Sequence, residues 1–365
     1  MTYDLIVVGG GPAGSAAAIT AARNGASALM LEGGRFPRHK VCGEFVSAES
    51  LELLGNLFDA GHQSLIRETP RISQGRIFAD GVELPLGIDP AAASISRFDL
   101  DFALYQSCMT SRVVVRLGCA VREVTGGELF SVECGEQQFR SRAVVNAAGR
   151  WSALTSAGTR TRLRKVRWIG VKAQFDECTP PTSVDLYFFS GGYCGVQPVR
   201  LAANGSAARI NACAMVRADI ATSLERVLDL HPALRERSRT WASVMDPVTT
   251  SPLVFHPPEP VQNDVLQVGD AATFVDPFIG DGISLALRSG ALAADCLGHF
   301  FRGECSLARA AENYSALYRE RLGGVFRASS LLRRMLRTPS LVRRPVLSLL
   351  QRTPYVTRRI VQLTR

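Results

Sequence analysis

Leu5-Ile6-Val7-Val8-Gly9-Gly10-Gly11-Pro12-Ala13-Gly14 decides the fold of this chain. Residues 3–8 form an apolar run of strand length. Ser15 to Asn24 is an alanine-rich stretch of helix length. Between them Gly9, Gly11 and Gly14 stand at G-x-G-x-x-G spacing. Gly9 permits the tight turn, Gly11 lets the backbone approach a phosphate, and Gly14 lets the helix pack close to the strand. Pro12 and Ala13 belong to the same phosphate-facing turn. The free N–H groups and positive dipole end of the helix then face a pyrophosphate. A second strand, Ala28-Leu29-Met30-Leu31, ends in Glu32, 18 residues past Gly14. At that distance a carboxylate accepts hydrogen bonds from a ribose diol. A lone glycine motif is weak, but strand, helix and acid together predict a dinucleotide site.

The chain has 365 residues, 46% hydrophobic and 21% charged, which suits a globular protein with two intimately joined domains. Nine cysteines are scattered without a CxxC pair. They read as reduced thiols of a cytoplasmic protein, not as a disulfide framework or a zinc site. The N-terminus starts almost directly with the first strand, which leaves no room for a signal peptide. No uncharged apolar run reaches the ~18 residues needed to span a bilayer.

The net charge of +9 is concentrated at one end. Residues 321–365 hold 11 arginines and no Lys, Asp or Glu, leaving 31 basic against 33 acidic residues elsewhere. This tail carries a weak repeat, Arg337-Thr338-Pro339-Ser340-Leu341-Val342-Arg343-Arg344 and Arg352-Thr353-Pro354-Tyr355-Val356-Thr357-Arg358-Arg359. Each Thr-Pro reads as the start of a short helix. Two readings stand open: a helical tail packed on the enzyme, or peripheral contact with the inner face of an anionic membrane or a lipid substrate. Nucleic acid is excluded as a partner, because no recognised nucleic-acid module surrounds the charge.

The pattern predicts an α/β chain: a discontinuous Rossmann-like domain (1–70, 95–160 and 255–300), an inserted antiparallel-sheet substrate domain (71–94 and 161–254), and a helical basic tail (301–365). Within it, Phe98 to Arg112 reads as a helix, 121–145 as a β-meander, 166–216 as strand-rich, and 218–229 and 233–239 as helices.

A second segment, Val265-Leu266-Gln267-Val268-Gly269-Asp270 followed by Pro277-Phe278-Ile279-Gly280-Asp281-Gly282-Ile283, gives the first its meaning. With it, residues 3–320 resemble the geranylgeranyl reductase-like branch of the FAD-dependent oxidoreductases. That branch shares the aromatic-hydroxylase fold with flavin monooxygenases and halogenases. The resemblance implies a bound FAD. It assigns Gly9, Gly11, Gly14 and Glu32 to the adenosine end. Arg97, with Asp101 and Leu104 after it, matches a helix whose arginine contacts FAD. Gly269-Asp270 matches the pair whose aspartate bonds the ribityl hydroxyls. Residues 277–283 match the loop under the flavin pyrimidine, where glycine N–H groups and a helix start stabilise negative charge on the ring. Pro37-x-x-x-x-Cys42-Gly43 matches the loop beside the isoalloxazine. Val121, Ala148 and Gly149 are counted with the cofactor-binding residues.

Two departures stand out. Ala148-Gly149 replaces an Asp-Gly pair common in the monooxygenases. Tyr193-Cys194-Gly195-Val196-Gln197-Pro198 replaces the Tyr-x-Trp-x-Phe-Pro that lines an isoprenoid tunnel, so the wall is more open and more polar. The halogenase W-x-W-x-I-P is absent. Cys42, Glu44 and Tyr193 are the candidate catalytic residues. Cys42 is a proton donor or a small hydrophobe packed on the ring; Glu44 is an acid or base; Tyr193 lines the substrate cavity or packs the sheet. Arg35, Arg38 and Lys40 contact FAD phosphates or a nicotinamide cofactor, or form a solvated basic loop. His39 and His256 read as structural. The expected function is hydroxylation of a lipophilic aromatic or polyketide-type substrate, with NADPH or NADH as donor. The alternatives are reduction of a carbon–carbon double bond in an isoprenoid or other lipid, and a non-catalytic FAD-binding, membrane-docking protein.

Overall fold

The computed structural model describes residues 1–151, 154, 167–201, 208–250, 253, 255–274, 276–336, 338 and 340–353. Its first sheet has eight strands. Thr2–Val8 lies between the parallel strands Ala28–Glu32 and Gln137–Asn146. Val114–Leu117 extends one side and Val265–Gln267 the other, both parallel. Leu5 and Val7 face a core shared with Ala16, Ala17 and Leu287. Ile6 and Val8 face a second core with Phe130 and Val132. Burial on both faces explains why residues 5–8 are continuously apolar rather than alternating. The helix Pro12–Arg23 packs against the helix Gly282–Phe301. Their approach is close: a Cβ on Gly290 would lie 2.1 Å from the Ala13 carbonyl oxygen.

The second sheet has nine strands and interleaves with the first along the chain. Trp168–Glu177, Ala208–Arg217, Gly192–Arg200 and Ser183–Phe189 run antiparallel in that spatial order. Ser183–Phe189 then pairs in parallel with Arg71–Ala79, whose hairpin partner is Val82–Ser94. One face buries Val171, Ala173, Val196, Ile210, Ala212 and Val216 under Leu224, Val227 and Leu234. The opposite face, displaced by one residue in each strand, builds the site.

Two sequence expectations are corrected. The helix expected over 218–229 is only Leu224–Leu228. Arg217 grips Asp219 and Ser223 takes the N-cap, so the chain turns before it winds. Cys119 and Cys134 form a disulfide, while the other seven cysteines are free. Hairpin register brings the pair together: Val121 lies opposite Cys134, which places Cys119 beside it. Their spacing of 15 residues carries no such signal by itself.

The long helix Leu307–Leu336 is followed by Ser340–Gln351. The latter packs Leu347 against Ala79 and Leu84 of the hairpin. Most of the second Thr-Pro repeat, from Pro354 on, lies outside the described residues. Among the described residues no helix is long and apolar enough to cross a membrane.

Candidate FAD site and substrate wall

The glycine turn has the geometry its spacing predicts. Gly9 sits at φ +101°, and a Cβ there would meet the Ala147 carbonyl oxygen at 2.4 Å. A Cβ on Gly14 would lie 1.8 Å from the Gly9 oxygen. Gly11 differs: the nearest atom to its Cβ position is Arg97 Nη2 at 3.8 Å, so this side of the turn is open and faces a cation. Pro12 and Ala13 begin the helix. Glu32 is buried and accepts from the Gly10 and Gly34 N–H groups and from Arg38 Nη1, each at 2.7 Å. Burial opposes its charge, but Arg38 and the two amides outweigh it and bring the pKa to about 2. Among the described residues Oε2 has only the Gly10 donor, which leaves it acceptor capacity for a diol. Lys40 lies exposed near Arg38 and Arg97, and Arg35 is exposed. The Arg97 guanidinium grips Asp101 through two bonds of 2.6 and 2.7 Å, which fixes it beside the turn.

The second segment closes over the first. Gly269 sits at φ +57°, donates to Ser289 Oγ at 2.9 Å, and would crowd Ala13 Cβ at 3.0 Å if it carried a side chain. Asp270 is part-exposed with Arg150 Nη1 at 3.7 Å. The turn Pro277–Ile279 ends in left-handed Gly280, packed on Phe45. Asp281 occupies the N-cap position, without a side-chain cap bond, of the helix that starts at Gly282, whose Cβ position meets nothing within 4 Å; Ile283 behind it is buried. Asp281 is 2% exposed, and neither carboxylate oxygen is in hydrogen-bond geometry with a partner. Burial raises its pKa to about 6, although the nearby Ser47 and Ser284 hydroxyls pull it down. Ala148 donates to Asn146 Oδ1 at 3.1 Å, and Gly149 follows at φ +77°. Val121 pairs opposite Cys134 and packs with the meander core, a sheet role.

Cys42, Gly43 and Glu44 lead directly into Phe45–Val46, which pairs with Val82–Ser94 at the edge of the second sheet. Glu44 adopts φ +64° and is fully buried. Its Oε1 accepts from the Arg97 backbone N–H at 2.8 Å and from the Lys172 ammonium; Oε2 accepts from Gln174 at 3.1 Å. Burial raises the Glu44 pKa, and Lys172 works against that rise. Asn211 donates to the Cys42 and Gly43 carbonyls at 3.0 and 3.1 Å. Burial pushes the Cys42 thiol up, so it is a protonated thiol at neutral pH. Sequence reasoning named Cys42 and Glu44 and missed Lys172, Gln174 and Asn211. The available signal was alternation: Gly170, Lys172 and Gln174 take every second place among Ile169, Val171, Ala173 and Phe175. That marks a polar sheet face without saying what it meets.

Along the same face the lining turns aromatic. Tyr193 is buried with Met215, Leu253 and Phe274. Its ring lies 5.5 Å from Phe188 and 6.0 Å from Phe278 of the flavin-loop turn. Gly195 and Gln197 follow Tyr193 on this face, and Gln197 donates to Ser94 Oγ at 2.6 Å. His39 packs at a tilt against Phe98, ring centroids 4.8 Å apart, and burial with the charge of Lys172 lowers its pKa. His256 is half-buried and bonds to the Pro257 carbonyl.

These residues fit FAD: an uncrowded turn at Gly11 under a fixed guanidinium, a ribose-type acid, and an orphaned buried carboxylate beside a free helix start. Comparison with known proteins agrees. A family model described as FAD dependent oxidoreductase matches residues 4–165. The digeranylgeranylglycerophospholipid reductase of Methanocella arvoryzae is 29% identical over 353 residues, covering 88% of this chain and 84% of that protein. Among solved structures, a myxobacterial chondrochloren halogenase, an FAD-dependent halogenase, superposes with TM-score 0.72 at 22% identity, covering 89% of this chain and 81% of that one. A geranylgeranyl bacteriochlorophyll reductase-like protein of Thermoplasma acidophilum does so with TM-score 0.68 at 20% identity, covering 100% and 92%. At such identities the structures establish the fold. Motifs, site and relatives together support an FAD-dependent oxidoreductase, similar to proteins of the geranylgeranyl reductase-like branch.

Proposed function

We propose that the chain reduces a carbon–carbon double bond in a lipophilic, isoprenoid-type substrate, with NADPH or NADH as the source of electrons. The observation that carries this reading is the Cys42 thiol, kept protonated by burial in a loop held by Asn211, Glu44 and Lys172. Once reduced by the nicotinamide, bound FAD would supply hydride chemistry toward one carbon of the double bond. The thiol donates the proton to the other carbon and is reprotonated from solvent. The aromatic wall of Phe188, Tyr193 and Phe278 excludes water from the substrate's apolar part. Arg97 and the helix starting at Gly282 hold the cofactor's anionic parts. Relatives that reduce digeranylgeranylglycerophospholipids support the substrate class.

Hydroxylation, with oxygen as co-substrate, is the second reading. Gly195 and Gln197 favour it, because they widen the wall and give it polar character suited to a flatter substrate. Oxygen transfer needs a dry pocket and few fixed acid–base groups. The density of such groups around Cys42 therefore favours reduction.

The test is anaerobic turnover of the FAD-loaded protein with a polyprenyl lipid and reducing equivalents in D2O. The expected product is heavier by two hydrogens, with one solvent deuteron at carbon, and Cys42→Ser lowers its rate by about a hundredfold. A product that requires O2 and gains one oxygen atom overturns the reading in favour of hydroxylation.

A further inference from the structure

We propose that the outward face of the helix Ser340–Gln351 is a docking surface for an anionic phospholipid bilayer, and that it seats the aromatic wall beside the membrane. The helix has two unlike faces. Leu347 is buried against the hairpin, Arg343 grips Asp80 through bonds of 2.6 and 2.8 Å, and Gln351 donates to the Glu83 carbonyl. This face anchors the helix to the enzyme. On the other, Leu341, Val342, Val346 and Leu349 are 88%, 57%, 38% and 63% exposed, and Pro345 is exposed with them. At 100° per residue these five positions span about 140° of the circumference, a continuous apolar stripe pointing away from the protein.

Charge selects the occupant. Residues 321–365 carry 11 arginines and no acidic residue. Arg344 beside the stripe and Arg352 just past the helix are both exposed. A second copy of this chain would set Arg344 and Arg352 against their own counterparts. An anionic bilayer meets both demands, hydrocarbon for the stripe and headgroups for the guanidinium groups. Position supplies a further argument. Phe188 packs with Leu347's hairpin cluster and also with Tyr193 and Phe278. One ring therefore separates the docking helix from the substrate wall. Placing that wall at the membrane rests on the lipophilic-substrate reading above; the docking itself does not.

The test is sedimentation of the FAD-loaded full chain with vesicles, which needs no turnover. Vesicles of phosphatidylcholine mixed with phosphatidylglycerol should bind it, phosphatidylcholine alone only weakly, and salt should weaken binding. Leu341→Asn with Leu349→Asn should weaken binding about tenfold or more with unchanged flavin absorbance, since both side chains are exposed. Leu341→Trp should show a blue-shifted emission on the mixed vesicles. Absence of binding to the mixed vesicles, equal binding by the double variant, or an unshifted indole emission from Leu341→Trp overturns the proposal. So does a double variant whose only change is loss of self-association, which would make the stripe a protein–protein interface. Failure of docking with intact lipid turnover leaves the proposed reaction standing.

Discussion

The glycine turn and the Cys42–Lys172 constellation both adjoin Arg97 and are built by opposite means. The turn is made of backbone from one contiguous segment, and its tolerances are steric: Gly14 has 1.8 Å where a Cβ would need a full contact distance. The constellation is made of side chains from far apart, with Lys172 reaching Glu44 across 128 residues and Asn211 reaching Cys42 across 169. It depends on pairing in a dry environment. A backbone device fails when anything is added, whereas a paired device fails when one partner is removed and recovers when both are.

The largest expected effect tests the steric side. Gly14→Ala should abolish FAD retention and cost at least about 3 kcal/mol of stability, read by flavin absorbance and thermal unfolding. Gly11→Ala should leave the apoprotein's melting temperature within a few degrees of wild type while weakening FAD binding, because its Cβ enters only the space open to the phosphate. Equal damage from both would dissolve the distinction. On the paired side, Lys172→Met strands the Glu44 carboxyl and should cost about 3–5 kcal/mol. Adding Glu44→Gln should recover much of that loss, which a double-mutant cycle in denaturant measures. A purely additive cycle would mean that the two groups do not act as a pair.

Asp281 sharpens the contrast, because burial raises its pKa more than the Ser47 and Ser284 hydroxyls and the Arg288 charge lower it. Its folded pKa of about 6 lies above the ordinary value of about 3.9. The folded apoprotein therefore favours the protonated form, and stability is lost as pH rises from about 4 through 6. Asp281→Asn should raise the apoprotein's melting temperature at pH 7.5, and the gain should shrink toward zero by pH 4. A gain independent of pH would assign the effect to helix capping. The smallest effect belongs to the tail. Asp80→Asn breaks a part-exposed ion pair and should cost less than about 1 kcal/mol, seen as faster proteolysis after Arg343. Unchanged cleavage would mean that Leu347 and the Gln351–Glu83 bond hold the helix without the ion pair.

Legibility follows the same division. Gly9, Gly14, Glu32 and the strand–turn–helix around them were readable because their geometry depends on neighbours in the chain. Gly269, Asp281 and the helix from Gly282 were readable as a second contiguous motif. Cys42 and Glu44 could be named from the loop but not given roles, since burial raises both pKa values and Lys172, distant in the chain, opposes the rise at Glu44. The Cys119–Cys134 bridge was missed because hairpin register, and not spacing, brings the two sulfurs together.

The amino-acid sequence by itself determined the α/β fold, the FAD chemistry and the basic character of the tail, because backbone propensity, glycine spacing and charge count are local properties. Only the tertiary structure decided which groups meet around Cys42, that the buried Lys172 faces Glu44, and that one apolar face of the last helix points outward. Those outcomes depend on which strands become neighbours and which faces they bury, and burial sets both the protonation state of a side chain and the surface left for a partner.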